Sequence, residues 1–176
     1  SAYEESALYD RAWAYYHTGD FAGAIGTFEH MLGMAADVVK IDRAIYQSGE
    51  SHFALGQFDE ARGMYGRLVD KYDFDAMSDD ELKAMETERF RGLVQETTRE
   101  LVAKAQIRVG DAYAEEVRID EAVAAYSLVP QRYPQESLLV QKSYGNMAEM
   151  VFEQQGVDAG IVVLGRAIDQ VEDPIF

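Results

Sequence analysis

Four segments of this 176-residue chain carry one spacing of small and bulky residues: Ala12, Tyr15, Ala24, Phe28; Gly49, His52, Ala61, Tyr65; Gly110, Tyr113, Ala122, Tyr126; and Ala148, Val151, Gly160, Leu164. Every column advances by 37, 61 and 38 residues, so a single unit has been copied in register. Repeats of this length bury a face only by stacking on their neighbours, and such arrays serve as extended binding surfaces. Within each unit, apolar residues keep helical spacing on both sides of a short break. Leu8, Ala12, Tyr15 and Tyr16 lead to Thr18-Gly19-Asp20, after which Phe21, Ala24, Ile25, Phe28, Met31 and Leu32 resume the period. Gly19 can end one helix and Asp20 can cap the next. The small columns let two helix axes approach closely, and the aromatic columns are expected to fill the gap between units.

The middle step exceeds the first by about one helix with its connections. Ser78-Asp79-Asp80-Glu81 has the form of a capping box ahead of Leu82, Met85, Phe90, Leu93 and Val94, which predicts an inserted helix over 79–95 and a fresh one over 98–116. A single long bent helix across both is the alternative. Pro130 is expected to end its helix near Val129, and Pro134 to set the turn into a helix over 135–155.

These spacings resemble the tetratricopeptide repeat, most closely in Gln47–Ala61 and in Ile119–Tyr126. The resemblance implies an all-α fold, a right-handed α-solenoid of helical hairpins with one inserted helix. The repeats fall at about 5–36, 42–73, 103–134 and 141–173 in one domain. The period is longer than is usual for the family, and Gly160 and Leu164 replace its Ala and aromatic residue. Tyr126–Ser137, with its Tyr133-Pro134 ending, is similar to the variant found in bacterial envelope proteins. That implies a protein-binding module of an envelope complex, with periplasm or envelope as the expected compartment and cytoplasm as the alternative.

Charge narrows the partners. With 32 acidic and 16 basic residues the formal charge is -16, which repels nucleic acid phosphates and anionic lipid. A basic or apolar protein segment fits better. No apolar run approaches membrane-spanning length, and the chain contains no Cys, which removes disulfides and thiolate chemistry. The start at Ser1 suggests a processed or excised segment. The apolar last helix, with Ile161, Val162, Leu164 and Ile168, suggests a longer array or a contact between copies.

If the units stack as in the family, the first helices present rows: Tyr9, Tyr46, Ile107, Gly145; then Trp13, Glu50, Asp111, Glu149; then Tyr16, Phe53, Ala114, Phe152. Tyr9, Trp13, Tyr16, Tyr46, Glu50, Phe53, Asp111, Glu149 and Phe152 are the candidate partner-binding residues. Three carboxylates in one row repel one another unless a cation answers them, so reversing Glu50 and Asp111 to Lys is expected to weaken partner capture and spare stability. The aromatic stripe Tyr9, Trp13, Tyr16 reads first as core packing or a dry contact with a preceding unit, with peptide anchors as the alternative.

No catalytic, metal or cofactor site is expected. His52 falls in an aromatic column and reads as buried packing, while His17 and His30 lack a partner at metal spacing. The acidic run 73–81 lacks the Gly and the terminal Glu of a calcium loop. The reading is a non-catalytic interaction scaffold. Its alternatives are a self-assembly segment, or the regulatory part of a larger enzyme or transcription regulator.

Overall fold

The computed structural model describes residues 2–34, 38–74, 76–78, 80–84 and 98–172. They form eight long helices: α1 (Ala2–His17), α2 (Phe21–Met34), α3 (Val38–Ala54), α4 (Phe58–Lys71), α5 (Thr98–Glu115), α6 (Ile119–Arg132), α7 (Ser137–Gln155) and α8 (Val157–Glu172). No strand occurs among the described residues. Two compact units result, Ser1–Ala105 and Gln106–Phe176, with the division falling inside α5.

In the first unit, α1 pairs with α2, α2 with α3, and α3 with α4. Its core joins Leu8, Ala12, Ala24, Phe28, Met31 and Ala44. The turn between α1 and α2 forms as its residues dictate. Gly19 takes φ +79°, a left-handed conformation that costs an L side chain about 1–2 kcal/mol, and Asp20 Oδ1 accepts the Gly23 N–H at 2.9 Å as a helix cap. Gly56 repeats the left-handed turn between α3 and α4 at φ +71°. After α4, Ser78 and Glu81 form the expected capping box: the Glu81 carboxylate accepts the Ser78 N–H at 2.8 Å and its hydroxyl at 2.7 Å. Residues 80–84 are helical; the remainder of the expected 79–95 helix, and the choice between it and one bent helix, lie outside the described residues.

In the second unit, α6 packs on the Gln106–Glu115 part of α5, α7 on α6, and α8 on α7. The turn at the register position of Gly19 and Gly56 is occupied by Val117, which adopts φ +59° regardless. Gly156 alone separates α7 from α8, at φ 90° and ψ 179°, a region open essentially to Gly.

Three expectations need correction. Helix α6 does not stop at Val129 but continues through Pro130 to Arg132. Proline deprives the Tyr126 carbonyl of its helical donor, and the Ser143 hydroxyl of α7 takes that place at 2.7 Å, so the helix can continue. The second column is interior only at Val151: Tyr15 is 37% exposed, and half-buried His52 shares a 2.8 Å hydrogen bond between its Nδ1 and Gln57 Oε1. The gap is filled by Phe28, Tyr65 and Tyr126, with Leu164 of the same column left outside at 45% exposure. Finally, α7 begins at Ser137, two residues later than expected.

Candidate interaction surface

The small columns have a steric purpose. A Cβ on Gly49 would lie 2.6 Å from the Tyr65 ring, and one on Gly110 would lie 2.4 Å from the Tyr126 ring, both inside van der Waals contact. Each ring thus lies flush on the backbone of its hairpin partner. From there its hydroxyl reaches the residue after the glycine: Tyr65 Oη donates to Glu50 at 2.5 Å, and Tyr126 Oη to Asp111 at 2.8 Å. Asp111 also accepts from Asn146 Nδ2 at 3.2 Å and Arg108 Nη1 at 3.1 Å. Burial, and then the Asp111 carboxylate, push the Tyr126 phenol well above its ordinary range.

The expected row of unanswered carboxylates is therefore corrected. Glu50 and Asp111 are bound by phenols of their own hairpins, and reversing either to Lys would remove an acceptor from a half-buried hydroxyl and lower stability. The fixed 15-residue spacing in Glu50–Tyr65 and Asp111–Tyr126 is the signal that could have revealed these pairs. A third carboxylate, Asp42, was missed altogether. It is 2% exposed, accepts Lys71 Nζ at 2.5 Å and the Tyr72 hydroxyl, and ties the start of α3 to the end of α4. Burial and Asp42 together raise the Tyr72 phenol above its usual range.

The aromatic residues of α1 form a ladder. Tyr9 meets Trp13 edge-on at 6.2 Å, Trp13 meets Tyr16 at 5.8 Å, and Trp13 stacks on His17 at 5.0 Å. Tyr9, Trp13 and Tyr16 all pack against the core of the first unit while remaining half-buried. On α3, Tyr46 leans on Tyr65 at 5.7 Å, and Phe53 meets Phe58 at 5.2 Å. The first unit thus places Tyr9, Trp13, Tyr16, Tyr46, Glu50 and Phe53 on its first helices. In the second unit Ile107 is buried at 1%, so it lines nothing. Asp111 is half-buried, Glu149 and Gly145 are exposed, and Phe152 is 50% exposed. Among the described residues no group of three or more His, Asp or Glu is placed to hold a metal ion, and no helix is long and apolar enough to cross a membrane.

Helical hairpins in register, closed by small residues against aromatic rings, define a helical-repeat protein. Residues 6–32 and 43–74 match the family described as tetratricopeptide repeat. No curated protein sequence matches it. Among solved structures it is similar to MamA, residues 41 to the end, from Desulfovibrio magneticus RS-1, at 14% identity and TM-score 0.60, covering 98% of this chain and 78% of that one. It is also similar to the apo form of RapI, at 11% identity and TM-score 0.63, covering 96% of this chain and 56% of RapI. At these identities the likeness is one of fold.

Proposed function

We propose that this protein is a non-catalytic interaction scaffold that holds a basic or apolar protein segment, helical or extended, on the first-helix face of residues 1–105. The α1 ladder carries this reading: three large rings, held from beneath by the core and still half accessible, offer preformed contact area at little entropic cost. Tyr46 and Phe53 of α3 extend the apolar surface, and Glu50, with the overall charge of -16, favours a cationic partner. In residues 106–176, the exposed Glu149 and Phe152 of α7 and the half-buried Asp111 of α5 carry the same residue types. The envelope setting is the finer part of the proposal and rests on the Tyr133-Pro134 repeat ending alone.

Trp13 is the chain's one tryptophan, so its fluorescence reports the site directly. Titration with Lys- and Arg-bearing amphipathic peptides should shift its emission, more weakly at high salt, while acidic peptides of equal length leave it unchanged. Tyr46→Ala and Phe53→Ala should weaken the response with the helical circular dichroism retained. A response indifferent to peptide charge and to both substitutions would overturn the proposal.

A further inference from the structure

The indole of Trp13 is covered by a side chain that only ring contacts hold. Among the described residues His17 is its one near-parallel neighbour, at 5.0 Å and 25°, whereas Tyr9 and Tyr16 meet it at 70° and 74°. The two residues stand four apart on α1, so His17 reaches the indole across a single helical turn. His17 is exposed, its second contact is Tyr16 edge-on at 5.9 Å, and no hydrogen bond or ion pair fixes its ring among the described residues. This exposure belongs to the repeat, not to the first helix alone. The residues in register with His17 in the other hairpins, Ala54, Glu115 and Glu153, are exposed as well, and those in register with Trp13, namely Glu50, Asp111 and Glu149, are half-buried or exposed.

A cover of this kind can be displaced, and the chemistry beneath it defines by what. The face of an indole attracts cations more strongly than any other aromatic side chain. The seat admits a flat group, because the planar imidazole already lies on it within 25°. A guanidinium is planar, permanently charged and weakly hydrated, and it stacks on aromatic faces; an ammonium has no plane and keeps its water. The formal charge of -16, and Glu50 in the same row on α3, favour a cation there. We infer that this face of Trp13 seats an arginine side chain of the bound segment and that His17 gates the seat. Neutral His17 yields to the guanidinium. Protonated His17 is itself a cation over the ring, so it holds the seat and repels a second charge. The gate rests on the partner site proposed above and adds which side chain is read there and how pH regulates it. An imidazole changes charge between about pH 5 and 8, so capture is strongest at the upper end of that range. The groups at this end of the hairpin are the Tyr16 phenol, which meets Phe21 of α2, and Asp20, whose Oδ1 is turned to the Gly23 N–H.

The test is calorimetric titration of the 176-residue chain with a Lys-bearing amphipathic peptide that carries a single arginine, and with the same peptide bearing lysine or neutral citrulline at that position. At about pH 8 the arginine peptide should bind roughly three- to tenfold more tightly than the citrulline peptide, with lysine between them. At about pH 5.5 that advantage should be lost, because the imidazolium occupies the seat. His17→Ala should tighten the arginine peptide by about two- to fivefold, abolish the pH dependence of its advantage and leave the citrulline peptide unchanged. His17→Phe keeps a flat but uncharged cover, so it should remove the pH dependence without tightening. Arginine and citrulline peptides that bind equally at high pH, or an arginine advantage that still falls with pH in His17→Ala, would overturn the gate while leaving the scaffold reading in place. Weakening of all three peptides alike by His17→Ala, with helical circular dichroism reduced, would mean that His17 only supports the helix end and would overturn it too. Failure of every basic peptide to bind at either pH would overturn both.

Discussion

Replacing Gly110 with Ala should destabilise the protein, although the same change elsewhere in these helices should stabilise it. In an exposed helix interior, Gly→Ala gains about 0.8–1 kcal/mol through reduced backbone entropy. Gly145 on α7 is exposed with no atom within 4 Å of the new Cβ, so Gly145→Ala should show that gain in full. At Gly110 the new Cβ would meet Tyr126 Cε1 at 2.4 Å and Cδ1 at 2.5 Å. The ring must move by about 1 Å to restore contact distance, and it sits in a nearly closed site at 2% exposure. Overpacking of this kind costs about 1–3 kcal/mol, and drawing the hydroxyl off Asp111 about 1 kcal/mol more. Net destabilisation of about 1–3 kcal/mol remains after the propensity gain. The two variants should thus differ by about 2–4 kcal/mol, or on the order of 10 °C in Tm for a chain of this size. Urea titration followed by circular dichroism measures this, with equal slopes required for the comparison. If Gly110→Ala matched Gly145→Ala, the flush seating of the tyrosine ring, and with it the explanation of the small column, would be wrong.

Val117→Gly should raise stability by about 1 kcal/mol, because a β-branched residue is held at positive φ where the earlier turns have glycine; thermal melts check it. Ser143→Ala should cost about 1–3 kcal/mol by orphaning the Tyr126 carbonyl, and clearly less in a Pro130→Ala background, where a backbone N–H returns to that carbonyl; a double-mutant cycle in urea gives the coupling. Tyr72 and Tyr126 have folded-state pKa values raised above 10.0. Their contribution is therefore complete below pH 10 and is lost as pH rises toward the folded values, because the unfolded chain ionises first. Absorbance titration should show these two phenols ionising only together with loss of helix, and Tyr72→Phe should carry one fewer late-ionising group.

The hairpins were legible because their signal is redundant: each helix has its own apolar period, and the copies confirm one another's register. The Gly19 turn, the Asp20 cap and the Ser78–Glu81 box were equally plain, since each depends on residues adjacent in sequence. What escaped was contact at longer range. Pro130 reads as a helix end to any local rule, and only Ser143, thirteen residues on, reverses that outcome. For the carboxylate row, only Arg108 lies near Asp111 in sequence, and the phenols that bind Glu50 and Asp111 come from the other helix of each hairpin. The column of His52 reads as interior, whereas of its four residues only Val151 is buried; His52 is half-buried and Tyr15 exposed.

The Ser143 hydroxyl also constrains how a gene for such a protein could change. Units in this kind of array are often duplicated, deleted or shuffled as independent modules. Here the third hairpin depends on a side chain of the fourth to complete its own backbone, so losing the last unit would leave an open bond inside the one before it. Recombination at this boundary would have to carry proline and serine together, and the two hairpins would be inherited as a pair.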